Sequence, residues 1–115
     1  MIIKKDDRVM TVRDKLKDGQ GAINIFDLTT KQSIPNNLRL CSEFILKPNE
    51  SIGSHAHIGE TEIYYIISGE CSVLDSGEFR KLYAGDTAIT DGESSHSIIN
   101  DGDDELRFIG IIVLD

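Results

Sequence analysis

The sequence predicts an all-β domain, a sandwich or barrel of short strands, on three observations. Turn signals recur at short intervals: Lys47-Pro48-Asn49, Ile58-Gly59-Glu60, Ser68-Gly69-Glu70, Asp75-Ser76-Gly77, Ala84-Gly85-Asp86, Asp91-Gly92-Glu93 and Asn100-Asp101-Gly102-Asp103. The pieces between them have strand length and are rich in β-branched and aromatic residues. Two of these pieces, Ile63 to Ile67 and Ile109 to Val113, are apolar on both faces, which suits strands that also pack against a second sheet or subunit.

In chain order, Thr11 to Lys17 mixes charges around Val12 and Leu16, four residues apart, and reads as a short helix or irregular segment. Ala22 to Leu28 returns to a strand-like run, and Ser33-Ile34-Pro35-Asn36-Asn37 connects it to the barrel. Strands are then expected over Leu38 to Leu46, Glu62 to Ile67, Cys71 to Leu74, Phe79 to Tyr83, Thr87 to Thr90, His96 to Asn100 and Leu106 to Leu114. Residues 1–36 are read as an N-terminal extension and 37–115 as the barrel. No internal repeat or low-complexity tract is visible.

The 115 residues allow one core. The net charge of −8 repels phosphate backbones and disfavours a nucleic-acid partner, the basic cluster Lys4, Lys5 and Arg8 being local. At the N-terminus two apolar residues run straight into charge, so neither a signal peptide nor a membrane span is expected, and the chain reads as cytoplasmic. Cys41 and Cys71 form no CxxC pair and read as buried free thiols.

Chemistry gathers at the three histidines. His55-Ala56-His57 lies in an extended segment, where residues two apart point the same way, so both imidazoles project from one face. Glu62 opens the next strand, after a turn at Gly59 that would fold it back beside the first. His96 opens a strand far along the chain, and a closed sheet would bring it near. Three imidazoles and a carboxylate suit one divalent transition metal (Mn, Fe, Ni, Co or Zn) with open coordination positions. One negative charge on a divalent ion leaves the site positive, so it should attract anionic ligands such as carboxylates, phosphorylated sugars or enolates. Taken singly, each residue has a plainer reading: a His-X-His pair as half-exposed strand residues, His96 as a surface or capped one.

The run from Asn49 to Gly69 resembles the first cupin motif, G(X)5HXH(X)3,4E(X)6G, at His55, His57, Glu62 and Gly69, with Asn49 in place of the first glycine. The run from Gly85 to Asn100 is similar to the second, G(X)5PXG(X)2H(X)3N, at Gly85, His96 and Asn100. Asp91 and Glu93 replace that motif's proline and internal glycine. The resemblance implies a double-stranded β-helix, a six-to-eight-stranded jelly-roll barrel with a metal in its mouth held by His55, His57, Glu62 and His96. It also implies a homodimer, through sheet faces or exchanged N-terminal strands such as Ala22 to Leu28. Glu60 shares the parity of Glu62, and the motif's spacing selects Glu62, leaving Glu60 on the rim.

Alternation turns Tyr64 and Ile66 inward with Glu62, making Tyr64 a candidate catalytic proton donor, with core packing as the plainer alternative. Ile98 and Asn100 share the parity of His96, Ile98 as pocket wall and Asn100 as a tie at the strand end. On Leu38 to Leu46, Arg39, Cys41 and Glu43 share one face while Leu40, Phe44 and Leu46 share the other; an inward Arg39 would grip a carboxylate. Two functions are expected: in first place, because open metal positions are costly to build without use, a metal-dependent enzyme of dioxygenase, decarboxylase, isomerase or lyase type acting on a small polar or anionic metabolite, and as the alternative a non-catalytic small-molecule or metal-binding sensor or storage module. A second proton-transfer group beside the metal discriminates them.

Overall fold

The computed structural model describes all 115 residues. Ten strands run in order: β1 (Met10–Asp14), β2 (Ala22–Asp27), β3 (Leu38–Leu46), β4 (Ser51–Ala56), β5 (Glu60–Ser68), β6 (Glu70–Asp75), β7 (Glu78–Tyr83), β8 (Thr87–Thr90), β9 (Ser95–Ile99) and β10 (Leu106–Leu114). The helical content is two single 3-10 turns, Lys5–Asp7 and Leu16–Asp18. A six-stranded sheet in the order β1-β2-β3-β10-β5-β8 faces a four-stranded sheet in the order β4-β9-β6-β7, and every pairing is antiparallel.

The interior is set by alternation. Along β10, Leu106, Phe108, Gly110 and Ile112 are buried while the residues between them are half-buried. Their partners on β3 and β5 include Leu46, Phe44 and Ile66, which place Phe44 and Phe108 in a ring stack at 5.0 Å. Gly110 makes room for that stack, because a Cβ there would stand 2.8 Å from the Phe44 ring. Ile23, Val73, Cys71 and Ile98 complete the core from β2, β6 and β9.

Asn100 ties the end of β9 to the core, as expected. Its amide donates to the carbonyls of Leu46 and Asp104, both at 2.8 Å, and its Oδ1 accepts from the Gly102 N–H. Asn49, where the motif has a glycine, takes the left-handed conformation with φ +73° and donates its N–H to the Asn100 carbonyl.

Two expectations are corrected. The segment read as a short helix or irregular stretch over Thr11 to Lys17 is no α-helix but β1 followed by a 3-10 turn. The edge of β2 offers β1 five paired positions, from Met10 opposite Phe26 to Asp14 opposite Ala22. Val12 is exposed whereas Leu16 packs on the core, so their spacing marked no shared helical face. Nor does β5 fold back beside β4. β9 pairs with β4, and both edges of β5 are taken by β10 and β8, so the Gly59 turn carries the chain across the interior to the opposite sheet. Residues 1–36 supply two strands of the larger sheet, and β2 lies between β1 and β3 of its own chain.

Candidate metal centre

His55 on β4, His57 just past its end, Glu62 on β5 and His96 on β9 converge from the two sheets. A bulge sets the phase of β4: Ile52 pairs with Ile98 and His55 with His96, so β4 spends three residues against two of β9. Ile52 and His55 consequently both face inward, three apart, where strict alternation would have turned one of them out. His57, Glu62 and His96 are at most 3 % exposed.

The far nitrogen of each ring fixes its orientation. His55 Nδ1 donates to the Gly53 carbonyl at 2.7 Å, and His57 Nδ1 donates to Glu60 Oε1 at 2.7 Å. His96 Nδ1 pairs with the Thr90 hydroxyl at 2.9 Å, Thr90 standing directly across the ladder from Glu62. With Nδ1 donating, neutral His55 and His57 present their Nε2 lone pairs to the centre, and His96 does the same when its Nδ1 donates to Thr90. The Nε2 atoms of His57 and His96 are 2.8 Å apart, and those of His96 and His55 3.1 Å. Glu62 Oε1 lies 2.8 Å from His57 Nε2, 2.9 Å from His96 Nε2 and 3.9 Å from His55 Nε2.

Four acceptors facing one point, three of them buried, repel each other unless a cation lies among them. Glu62 Oε1 is buried with no hydrogen-bond donor, as befits a carboxylate oxygen arranged to meet a cation. The spacing fits as well. Donors bound at about 2.1 Å stand about 3.0 Å apart when at right angles and about 4.2 Å apart when opposite. This is a three-histidine, one-glutamate cluster compatible with a metal ion. Burial opposes the Glu62 charge, but where the rings carry protons in place of a metal ion, contact with His55 and His96 and the charge of His96 and His57 outweigh it and hold the pKa at about 2.

Glu60 is more than a rim residue. Besides holding His57, it receives both prongs of Arg39, at 2.7 and 2.6 Å, and chiefly through that guanidinium its pKa falls to about 2. Arg39 reaches this side although it shares parity with Cys41 and Glu43. On β3, Leu40 pairs with Ile112 and Leu38 with the next residue, Val113, so Arg39 is the extra residue of a bulge and swings to the mouth. Of the two faces of β3, Leu40 and Phe44 line the cavity, while Glu43 is clamped on the outside by Arg8 and Arg107.

That cavity, about 220 Å³, opens beside His55, His57 and Glu62. Tyr64 lines its floor at 2 % exposure, its ring stacked 4.9 Å from His96 and edge-on to Phe108. Burial first, then the Glu62 charge, push the tyrosine hydroxyl well above its ordinary pKa, so it keeps its proton. Ile98 faces inward but packs in the core instead of walling the cavity. Both cysteines are free, Cys71 buried as expected and Cys41 only half-buried, and burial raises the Cys41 thiol and pushes Cys71 up to about 12, which disfavours the thiolate.

Residues 42–113 match the cupin domain family. The chain is a cupin. It is 35 % identical over 114 residues to the oxalate-binding protein of Thermotoga maritima, covering 99 % of this chain and 94 % of that protein. A crystal structure of a predicted oxalate decarboxylase from Thermotoga maritima superposes with a TM-score of 0.95 at 35 % identity, over 100 % of both chains. A sugar phosphate isomerase of the cupin superfamily from Silicibacter pomeroyi has the same fold, with a TM-score of 0.82 at 15 % identity, over 100 % of this chain and 76 % of its own. In this cupin, sequence reasoning missed Thr90, the bulges in β3 and β4, and two cations of the cavity mouth, Arg13 and Lys17. No sequence period announces a bulge, and Thr90 acquires its role only by standing across from Glu62.

Proposed function

We propose that this cupin binds one divalent transition metal through His55, His57, Glu62 and His96, and uses it to hold a small carboxylate, oxalate being the first to test. The observation that carries the reading is the convergence of three Nε2 atoms on a buried carboxylate oxygen that lacks a hydrogen-bond partner. Donor spacings near 3 Å would suit an ion of five or six ligands, Mn, Fe, Co or Ni ahead of Zn. Bound there, such an ion supplies a Lewis acid and an attachment point for an anion. The likeness to an oxalate-binding protein over nearly the whole chain supports a carboxylate as that anion.

Binding is preferred to catalysis, because the cavity offers no carboxylate base besides Glu62 itself. The enzymatic reading, a decarboxylase or related lyase, keeps one specific support: Tyr64, a phenol that retains its proton beside the candidate ligands. Two further proposals accompany the site. The chain acts in the cytoplasm, which two thiols without a disulfide support. It also pairs with a second copy through the outer face of the large sheet, where Ile89, Ile63 and Ile111 stand in one row and Tyr65 and Ile109 in the next. None of these carries charge, so this is where two copies of a chain at −8 repel least.

The test is calorimetric titration of oxalate into metal-free and metal-loaded protein, with the oxalate then monitored over hours. Saturable binding by the loaded form alone is expected, with oxalate unchanged. Equal binding without metal, or none with it, rejects the reading. Consumption of oxalate that Tyr64→Phe abolishes selects the enzyme instead.

A further inference from the structure

The cavity has a second polar pole. Arg13, Lys17 and Arg39 all line it, and they are not equivalent. Arg39 is spent on Glu60. Arg13 and Lys17 have no ion-pair partner, the cationic ends of every Lys and Arg salt bridge being Arg8, Arg39, Lys81 and Arg107. The single carboxylate in the lining is Glu62, which faces the imidazoles. In a chain of net charge −8, two unpaired cations therefore share one small cavity with a candidate cation site.

Backbone structure holds both there. Arg13 stands across from Ile23, a fully buried core residue, and cross-strand partners share a face. β1 thus places Thr11 and Arg13 on the cavity side and the apolar Met10 and Val12 on the outer side, although all five of its residues are exposed. After β1, Lys15, Lys17 and Asp18 adopt φ of 51°, 55° and 64°. Side chains disfavour the left-handed conformation, so three such residues within four mark a segment fixed by its surroundings. Leu16 anchors it in the core, and the Lys17 carbonyl lies where a Cβ at Gly53 would be only 1.8 Å away. The main chain of Lys17 therefore packs directly on the segment that carries His55.

We propose that Arg13 and Lys17 form an anion subsite and that the ligand is a dianion with a short apolar spacer. One end meets the His55, His57, Glu62 and His96 cluster, the other meets the two cations, and the spacer lies along Leu40, Ile52 and Ile112. This rests on the metal-dependent carboxylate reading above and goes further than it. Oxalate has no apolar part to set against those walls, whereas a five-carbon dicarboxylate has one.

The experiment titrates glutarate, pentanoate and oxalate into metal-loaded full-length chain. Glutarate should bind at least about tenfold tighter than pentanoate, and in R13Q/K17Q the two should come within about twofold, the difference being charge-assisted hydrogen bonds to the second carboxylate. Metal content should match wild type, and R13K/K17R should keep the preference for glutarate. A double variant that still prefers glutarate, or that loses oxalate as strongly as glutarate, overturns the subsite. Wild type that binds oxalate without preferring glutarate to pentanoate overturns it too and leaves the carboxylate reading standing. Wild type that binds none of the three overturns both.

Discussion

The two ends of this cupin's interior are built from the same strands by the same alternation and hold opposite contents. At one end Leu46, Ile66, Leu106 and Phe108, from β3, β5 and β10, are fully buried and belong to one apolar cluster. Further along those strands, Glu62, Tyr64 and Ile112 take the equivalent inward positions, joined by His55 and His96 across the barrel. The apolar end gains stability from area removed from water. The polar end must offset the cost of buried charge, and it does so only if an ion sits among its donors. The difference teaches that stability and chemistry are separable along one strand, a few residues apart.

Three substitutions test that separation, beginning with the most drastic. Changing His96 to Ala should reduce metal from about one per chain to near zero, because it removes the ligand nearest the other two imidazoles. Elemental analysis measures this, and full retention would reject the assigned ligands. Leu106→Ala at the other end should cost about 2–5 kcal/mol in urea unfolding of the metal-free protein while metal content stays at wild type. Loss of metal there would mean that the two ends are coupled. Glu60→Gln should leave the fold intact and weaken metal binding by about 10–100-fold, since His57 loses its carboxylate partner. Competition with a chelator reads that affinity, and an unchanged value would reduce Glu60 to a partner of Arg39 alone.

Much of this was legible in the chain. The bounds of β3, β8 and β10 coincide with the expected runs, because each begins and ends at turn residues and alternates between them. The four candidate ligands come together as the motif spacing implies. The features that escaped reading have a common cause. β1 exists because an edge of β2 was free to pair, which is main-chain chemistry that side chains do not announce, and its inverted pattern concealed it. The inward turn of Arg39 depends on a register shift, and a two-residue period counts straight through such a shift. Whether β5 would return beside β4 or cross to the other sheet depended on which partners had claimed each edge.

The bulge at Arg39 has a consequence for how such a pocket changes its preferences. An extra residue, rather than an exchanged one, brings a guanidinium from the outer face to the mouth, where it fastens Glu60 and through it His57. Deleting the codon before Arg39 would turn that exposed guanidinium back to the outer face and free the carboxylate, with every remaining amino acid untouched. Ligand choice in this scaffold is therefore open to insertions and deletions in its strands, a route that a survey of point variants alone would never sample.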